Sequence, residues 1–220
     1  MVTSGSQPLH ESYGTLHLQA VLTSPPDASV TLELSSSDPS HATLFPESLT
    51  FTAENWAVPQ SAVIVGVRDE VADGAHPVTI VIEPAVSDDP SYSGIDVDDL
   101  EISVLDDTDA GITVGAQHGM TSEAGGTATF NVVLNSRPTA AVAIPLSSSD
   151  PSEASVVEMV AFEPDEWNLP HTVTVTGVDD DLKDGDQPYD IVPGAAISED
   201  PSYDGLVPES VHFSNVDDDG

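Results

Sequence analysis

Cysteine is absent from the 220 residues, and basic side chains nearly so: three Lys and Arg stand against 39 acids, for a formal charge of −36. Without cysteine there are no disulfides, no thiolate zinc sites and no thiol nucleophile. With so few cations the surface repels nucleic acid and anionic membranes, and neither is an expected partner. No stretch reaches the roughly 18 apolar residues of a spanning helix, so no membrane insertion is expected. The opening MVTSGSQPLHESYG lacks the charged-then-apolar pattern of a signal peptide. The expectation is that a signal has been removed or that the chain is an excerpt. Helical periodicity is missing too. No nucleophile–base constellation, glycine-rich phosphate cradle or HExxH motif occurs, so enzymatic activity is not expected.

What is present is a repeat. Hydrophobic residues make up 39% of the chain, enough for a core, and 15 Gly with 18 Pro punctuate runs of alternating Val and Thr. The heptapeptide LSSSDPS occurs at Leu34–Ser40 and again at Leu146–Ser152, an offset of 112. Trp56 pairs with Trp167 at an offset of 111, DEVADGAHPV with DDLKDGDQPY, and SDDPSYSG with SEDPSYDG. ESYGT at Glu11–Thr15 matches EAGGT at Glu123–Thr127, and VLDDTD at Val104–Asp109 matches the closing VDDDG. Self-similarity at such a period marks a tandem array. Two domains are expected, 1–108 and 109–220. The second opens with a strand-like GITV at Gly111–Val114; the first has only MVTSGSQPLH there, so its first strand is expected to be missing or atypical. An open edge left that way could take a strand from another chain. Both ends fall at repeat boundaries, which suggests an excerpt of a longer array.

Each copy offers about seven short strands with period-2 alternation. Leu16, Leu18, Ala20 and Leu22 share one face, matched by Ala128, Phe130, Val132 and Leu134; Val30, Leu32 and Leu34 are matched by Val142, Ile144 and Leu146. This pattern predicts an all-β fold of two tandem immunoglobulin-like antiparallel β-sandwiches. Trp56 and Trp167 are expected to be core anchors.

Strand direction places the acids. Consecutive strands run oppositely, so their connections alternate between two poles of each sandwich. One pole then collects the end of the last strand, the loop before the penultimate strand, the LSSSDPS turn and the opening glutamate. In the second copy these are Asp217, Asp218 and Asp219; Asp179, Asp180, Asp181, Asp184 and Asp186; Asp150; and Glu123. In the first copy they are Asp106, Asp107 and Asp109; Asp69, Glu70 and Asp73; Asp38; and Glu11. Crowded carboxylates call for a hard cation, and Ca2+, with six to eight oxygen ligands, suits them better than Mg2+ or Zn2+. The seven histidines show no metal-ligand spacing. Leu182 at the third position from Asp180 excludes an EF-hand.

At these residues the repeat resembles the Calx-β domain, and more closely the Calx-β-like repeats of large bacterial surface proteins. Glu123 with Gly126 and Thr127, the DDDLKDGD loop and the closing Asp run carry the likeness. The resemblance implies calcium ligands at Glu123, Asp180, Asp181, Asp184, Asp217, Asp218 and Asp219. In the first copy it implies Glu11, Asp69, Glu70, Asp73, Asp106 and Asp107. That copy departs from the pattern, with Arg68 where the second has Asp179 and Ala75 where it has Asp186, so weaker or fewer ions are expected there.

The function expected is a calcium-stabilised structural module of an extracellular bacterial adhesin, matrix protein or fibre, located outside the cell or on its surface. Its partners would be neighbouring repeats of the same chain or like chains, with calcium stiffening the joints. The alternative is a polysaccharide- or cell-surface-binding module that uses Trp56, Tyr92, Trp167 and Tyr203 in the loops of the opposite pole. A merely solvated acidic surface fits less well, since outward strand positions are mainly Thr, Ser, Gln, His and Asn and the acids concentrate in loops.

Overall fold

A computed structural model describes residues 2–4, 8–115 and 119–219. The chain divides into two compact units, one of Met1–Asp69 with Asp73–Asp107 and one of Glu70–Ala72 with Thr108–Gly220. The described residues contain no helix.

In the first unit the strands are β1 (Val2–Ser4), β2 (Leu9–His10), β3 (Thr15–Ala20), β4 (Val30–Ser36), β5 (Ala42–Phe45), β6 (Ser48–Phe51), β7 (Gln60–Gly66), β8 (His76–Ile82), β9 (Val86–Ser87) and β10 (Leu100–Leu105). They form a sheet in the order β1-β3-β7-β5 and another in the order β2-β10-β8-β4-β6, with β9 added beside β4. The second unit repeats this strand for strand: β11 (Ile112–Val114), β12 (Gly119–Ser122), β13 (Thr127–Leu134), β14 (Val142–Ser148), β15 (Ala154–Val156), β16 (Met159–Phe162), β17 (His171–Gly177), β18 (Gln187–Pro193), β19 (Ile197–Ser198) and β20 (Val211–Val216). Each unit is an immunoglobulin-like sandwich.

The alternating pattern sets the core. Along β3, Leu16, Leu18 and Ala20 are buried and the residues between them exposed. Phe51 and Phe162, Ile64 and Val175, and Ile80 and Ile191 lie fully inside. Burying an aliphatic or aromatic side chain of this size contributes roughly 1.5–3 kcal/mol.

Three features differ from the sequence expectation. A first strand is present in the first unit: β1 pairs antiparallel with β3, Val2 opposite Ala20, as β11 pairs with β13. That edge of β3 is therefore occupied. The remainder of the MVTSGSQPLH comparison falls partly outside the described residues, as does Gly220. Secondly, the sandwich is not wholly antiparallel, because β2 runs parallel to β10 and β12 to β20. Thirdly, the described residues form ten strands in each unit: the chain crosses from one sheet to the other between β5 and β6 and between β15 and β16, and the short strands β2, β9, β12 and β19 are added. In the first unit Pro46 lies at the crossing, where a residue without an N–H cannot continue a ladder.

The aromatic loop residues are packed, not presented to a ligand. Tyr203 is fully buried, and its hydroxyl donates to the Ser136 carbonyl at 2.6 Å while accepting from the Ser136 N–H at 3.0 Å. Tyr92 is buried as well and donates to the Ser24 carbonyl at 2.7 Å. Each ring ties two loops together within its unit. Trp56 and Trp167 are half-buried in turns, and Trp167 packs against the second core. They are less complete anchors than a core position implies.

Candidate metal centres

The acidic poles are built by strand register. Glu11 follows β2 directly, and its N–H donates to the Leu105 carbonyl at the end of β10 (3.0 Å); the Glu123 N–H donates to Val216 in the same way (3.1 Å). Parallel pairing thus fixes each glutamate beside the Asp run that follows the last strand. The third wall is brought in by a close approach. A Cβ on Gly66 would lie well under 3.0 Å from the His10 carbonyl, and one on Gly177 equally close to the Ser122 carbonyl. Only glycine lets β7 and β17 end against the glutamate's strand, and the first acid of the loop follows three residues later in the first unit and two in the second. That loop turns back at Gly74 and Gly185, with φ of 87° and 76°. The turn is tied to the Asp run, because Gly74 N–H donates to Asp106 Oδ2 at 2.9 Å and Gly185 N–H to Asp217 Oδ2 at 2.7 Å.

In the second unit this brings together two groups of three carboxylates that share Glu123: with Asp217 and Asp219, and with Asp179 and Asp218. Within each group the candidate ligand oxygens lie within 4.8 Å of one another. Glu123 is 3% exposed, and Asp219 Oδ2 is buried without a hydrogen-bond partner. Burial pushes the Glu123 carboxyl above its usual range; Asp217, Asp180 and Asp219 add to this, and the Asp218 N–H at 3.3 Å opposes it. Asp219 is raised by burial and by the neighbouring charges of Asp217, Asp181, Asp218 and Asp179. Asp217 is lowered, because the Asp219 and Gly185 N–H groups donate to it. Asp180 and Asp181 therefore act on the group through their charge. Asp184 lies in the loop turn outside both groups. Asp150 is bound to Ser152 within its own turn, which lowers its carboxyl, and it also lies outside them.

The first unit's pole brings Glu11 together with Asp106 and Asp107, and with Asp69 and His41. Burial raises the Glu11 carboxyl, as do Asp69 and Asp106, while His41 pulls it down. Asp38 is bound by Ser40, which lowers it; Asp73 pairs with His76 at 2.7 Å and raises the imidazole. Glu70 and Asp109 join neither group.

Beneath the poles lie residues that sequence reasoning missed. In the second unit Thr121, Tyr189, Asn215 and Glu153 form a buried network. The Thr121 hydroxyl donates to Asn215 Oδ1 at 2.9 Å and lies 2.9 Å from the Tyr189 hydroxyl, while Asn215 Nδ2 donates to Glu153 Oε2 (3.3 Å) and to the Val178 carbonyl (3.0 Å). In the first unit the matching positions are Leu9, Val78, Val104 and His41. Aligning the two copies residue by residue is the signal that could have marked them.

No protein-family model matches the chain, and no curated protein matches it. Among solved structures it is similar to the calcium binding domain CBD12 of CALX1.1, at 16% identity and a TM-score of 0.38, covering 86% of this chain and 77% of that one. It is also similar to domains 4 and 5 of the S-layer protein SbsC, at 14% identity and a TM-score of 0.33, covering 99% and 98%. The E. coli chaperone DraB matches at 12% identity and a TM-score of 0.33, covering 96% and 97%.

Proposed function

We propose that the chain is a structural module of an extracellular or cell-surface protein, such as an adhesin, matrix protein or fibre, and that calcium bound at its acidic poles stabilises it. The observation that supports this most is the pair of three-carboxylate groups that share Glu123, one with Asp179 and Asp218 and one with Asp217 and Asp219, whose buried Oδ2 has no donor. Two carboxylates about 4 Å apart repel by roughly 4 kcal/mol at an effective dielectric of 20. Lone carboxylates so placed destabilise the fold, and a cation with several oxygen ligands reverses the sign. Calcium accepts this many carboxylates in flexible geometry, and extracellular modules hold it at about 10⁻⁴–10⁻³ M. The Asp run is also the exit of the last strand. An ion there restrains the chain where it passes to the next repeat, which is the basis for partners of the same kind.

Calcium at a hundredfold excess over its dissociation constant adds about 2.7 kcal/mol per independent site. Thermal melting of the full chain in calcium and in chelator tests the reading. A higher midpoint in calcium is expected; coincident midpoints would sink it.

A further inference from the structure

The first unit's pole differs in kind from the second's, because a histidine replaces a glutamate. His41 occupies the place of Glu153, three residues past the turn aspartate, and faces Glu11. Both Glu11 carboxylate oxygens and His41 Nδ1 are buried with no hydrogen-bond partner. Glu11 is 3% exposed, so its oxygens have little recourse to water. A buried acceptor pair of this sort is costly unless something binds it.

We propose that the first unit's pole is a binding site for one borderline divalent transition metal of the zinc type, held by His41 Nδ1, Glu11 and Asp69. The three candidate ligand atoms lie within 4.8 Å of one another, and His41 Nδ1 is 3.5 Å from Glu11 Oε1. In a tetrahedral shell with bonds of about 2.1 Å, neighbouring ligand atoms are about 3.4 Å apart. The pair already stands at that spacing. The ring is also oriented for the task. Its Nε2 faces Asp38 Oδ2 at 3.8 Å, and Asp38 is itself held by the Ser40 N–H at 3.0 Å. At that distance no hydrogen bond forms; a carboxylate that closes to about 3 Å behind a ligating imidazole selects its tautomer and fixes its plane. His76 stacks on His41, the ring centroids 3.8 Å apart and the planes 8° from parallel, with its own Nε2 on Asp73.

An imidazole nitrogen with two carboxylates suits zinc, nickel or copper, whereas calcium prefers oxygen alone. In the second unit the same position carries Glu153, already engaged by Asn215, and the pole is all oxygen. The group around His41 thus selects a different ion from the all-oxygen groups of either unit. The inference does not rest on calcium at the second unit's pole, since it uses none of that unit's residues.

The test uses the full chain stripped of metal and titrated with Zn2+ in millimolar Ca2+. One equivalent is expected to bind. His41→Gln should weaken it by more than tenfold and Asp38→Asn, which removes only the orienting carboxylate, by about tenfold. Glu123→Gln, in the other unit, should leave it unchanged. Long-range proton–nitrogen spectra of the wild-type imidazoles provide a readout free of folding defects: the His41 Nδ1 resonance should move on adding one equivalent while Nε2 stays protonated. Absence of zinc binding, a His41 ring that does not respond, or displacement of zinc by calcium would each overturn the proposal. Loss of the calcium-dependent melting shift with zinc binding intact would overturn only the calcium reading.

Discussion

The two units share a backbone plan and differ in what lies under the acids. In both, a glutamate after a short parallel strand, a glycine at a close approach and a closing Asp run meet at one pole. In the first, Leu9, Val78 and Val104 make an apolar floor with His41 beside it. In the second, Thr121, Tyr189 and Asn215 make a polar floor that reaches Glu153. The comparison separates two layers of control. Register and glycine geometry decide that carboxylates converge; a few buried positions decide how many remain available and what other donor joins them. The second unit engages Glu153 through Asn215 outside the carboxylate groups, and the first leaves its histidine aimed at Glu11.

The largest effect that can break this comparison is expected from Asn215→Val, which puts the first floor's residue at one of the second floor's three positions. Glu153 and the Val178 carbonyl lose a donor inside the unit, at a cost of about 3 kcal/mol. Chemical denaturation followed by Trp167 fluorescence in a Trp56→Phe background measures it. A change under about 0.5 kcal/mol, the range of neutral surface substitutions, would mean the network is not structural.

Next come the two tyrosines. Tyr203→Phe strands the buried Ser136 N–H and is expected to cost about 2 kcal/mol, whereas Tyr92→Phe, whose partner Ser24 is exposed and can turn to water, should cost about 1 kcal/mol or less. Equal losses in the two units would remove burial of the serine as the explanation.

The smallest effect is a pH dependence. Glu123 and Asp219 are raised above ordinary values of 4.5 and 3.8, so their contribution to stability is complete below those values and is lost as pH rises through the elevated folded ones. Asp217 and Asp150 are lowered from 3.8, so their contribution is present above it and lost as pH falls further. In metal-free buffer these groups therefore stabilise the chain as pH falls from neutral towards about 4.5 and destabilise it below 3.8. Saturating calcium should abolish the upper rise. A midpoint that falls steadily from pH 7 in metal-free buffer would contradict the assignment.

Much of this was legible in the sequence. Alternation at Leu16, Leu18 and Ala20 and its recurrence at Phe130, Val132 and Leu134 fixed the sandwich, because period-2 burial is a local property. Repetition and strand direction together placed Glu123 with Asp217–Asp219, and Glu11 with Asp106 and Asp107. What was not legible depends on contacts between distant segments. Leu9–His10 is too short to show a period, so its parallel pairing with β10 left no local mark. His41 follows Asp38 in a serine-rich turn, and nothing nearby says that its ring meets Glu11. Tyr203 lies in a polar loop, and its backbone partners, which allow a tyrosine hydroxyl to sit fully inside, come from a distant segment.

The central claim is that the second unit's pole is the main calcium site, and neutralising one glutamate in each unit tests it most directly. Melting is compared in chelator and in calcium for Glu123→Gln and Glu11→Gln. In chelator, Glu123→Gln should melt at or above the wild-type midpoint, since a crowded buried charge has been removed. In calcium it should lose most of the stabilisation that the wild type gains, while Glu11→Gln keeps it. A Glu123→Gln chain that retains the full calcium shift would contradict the account.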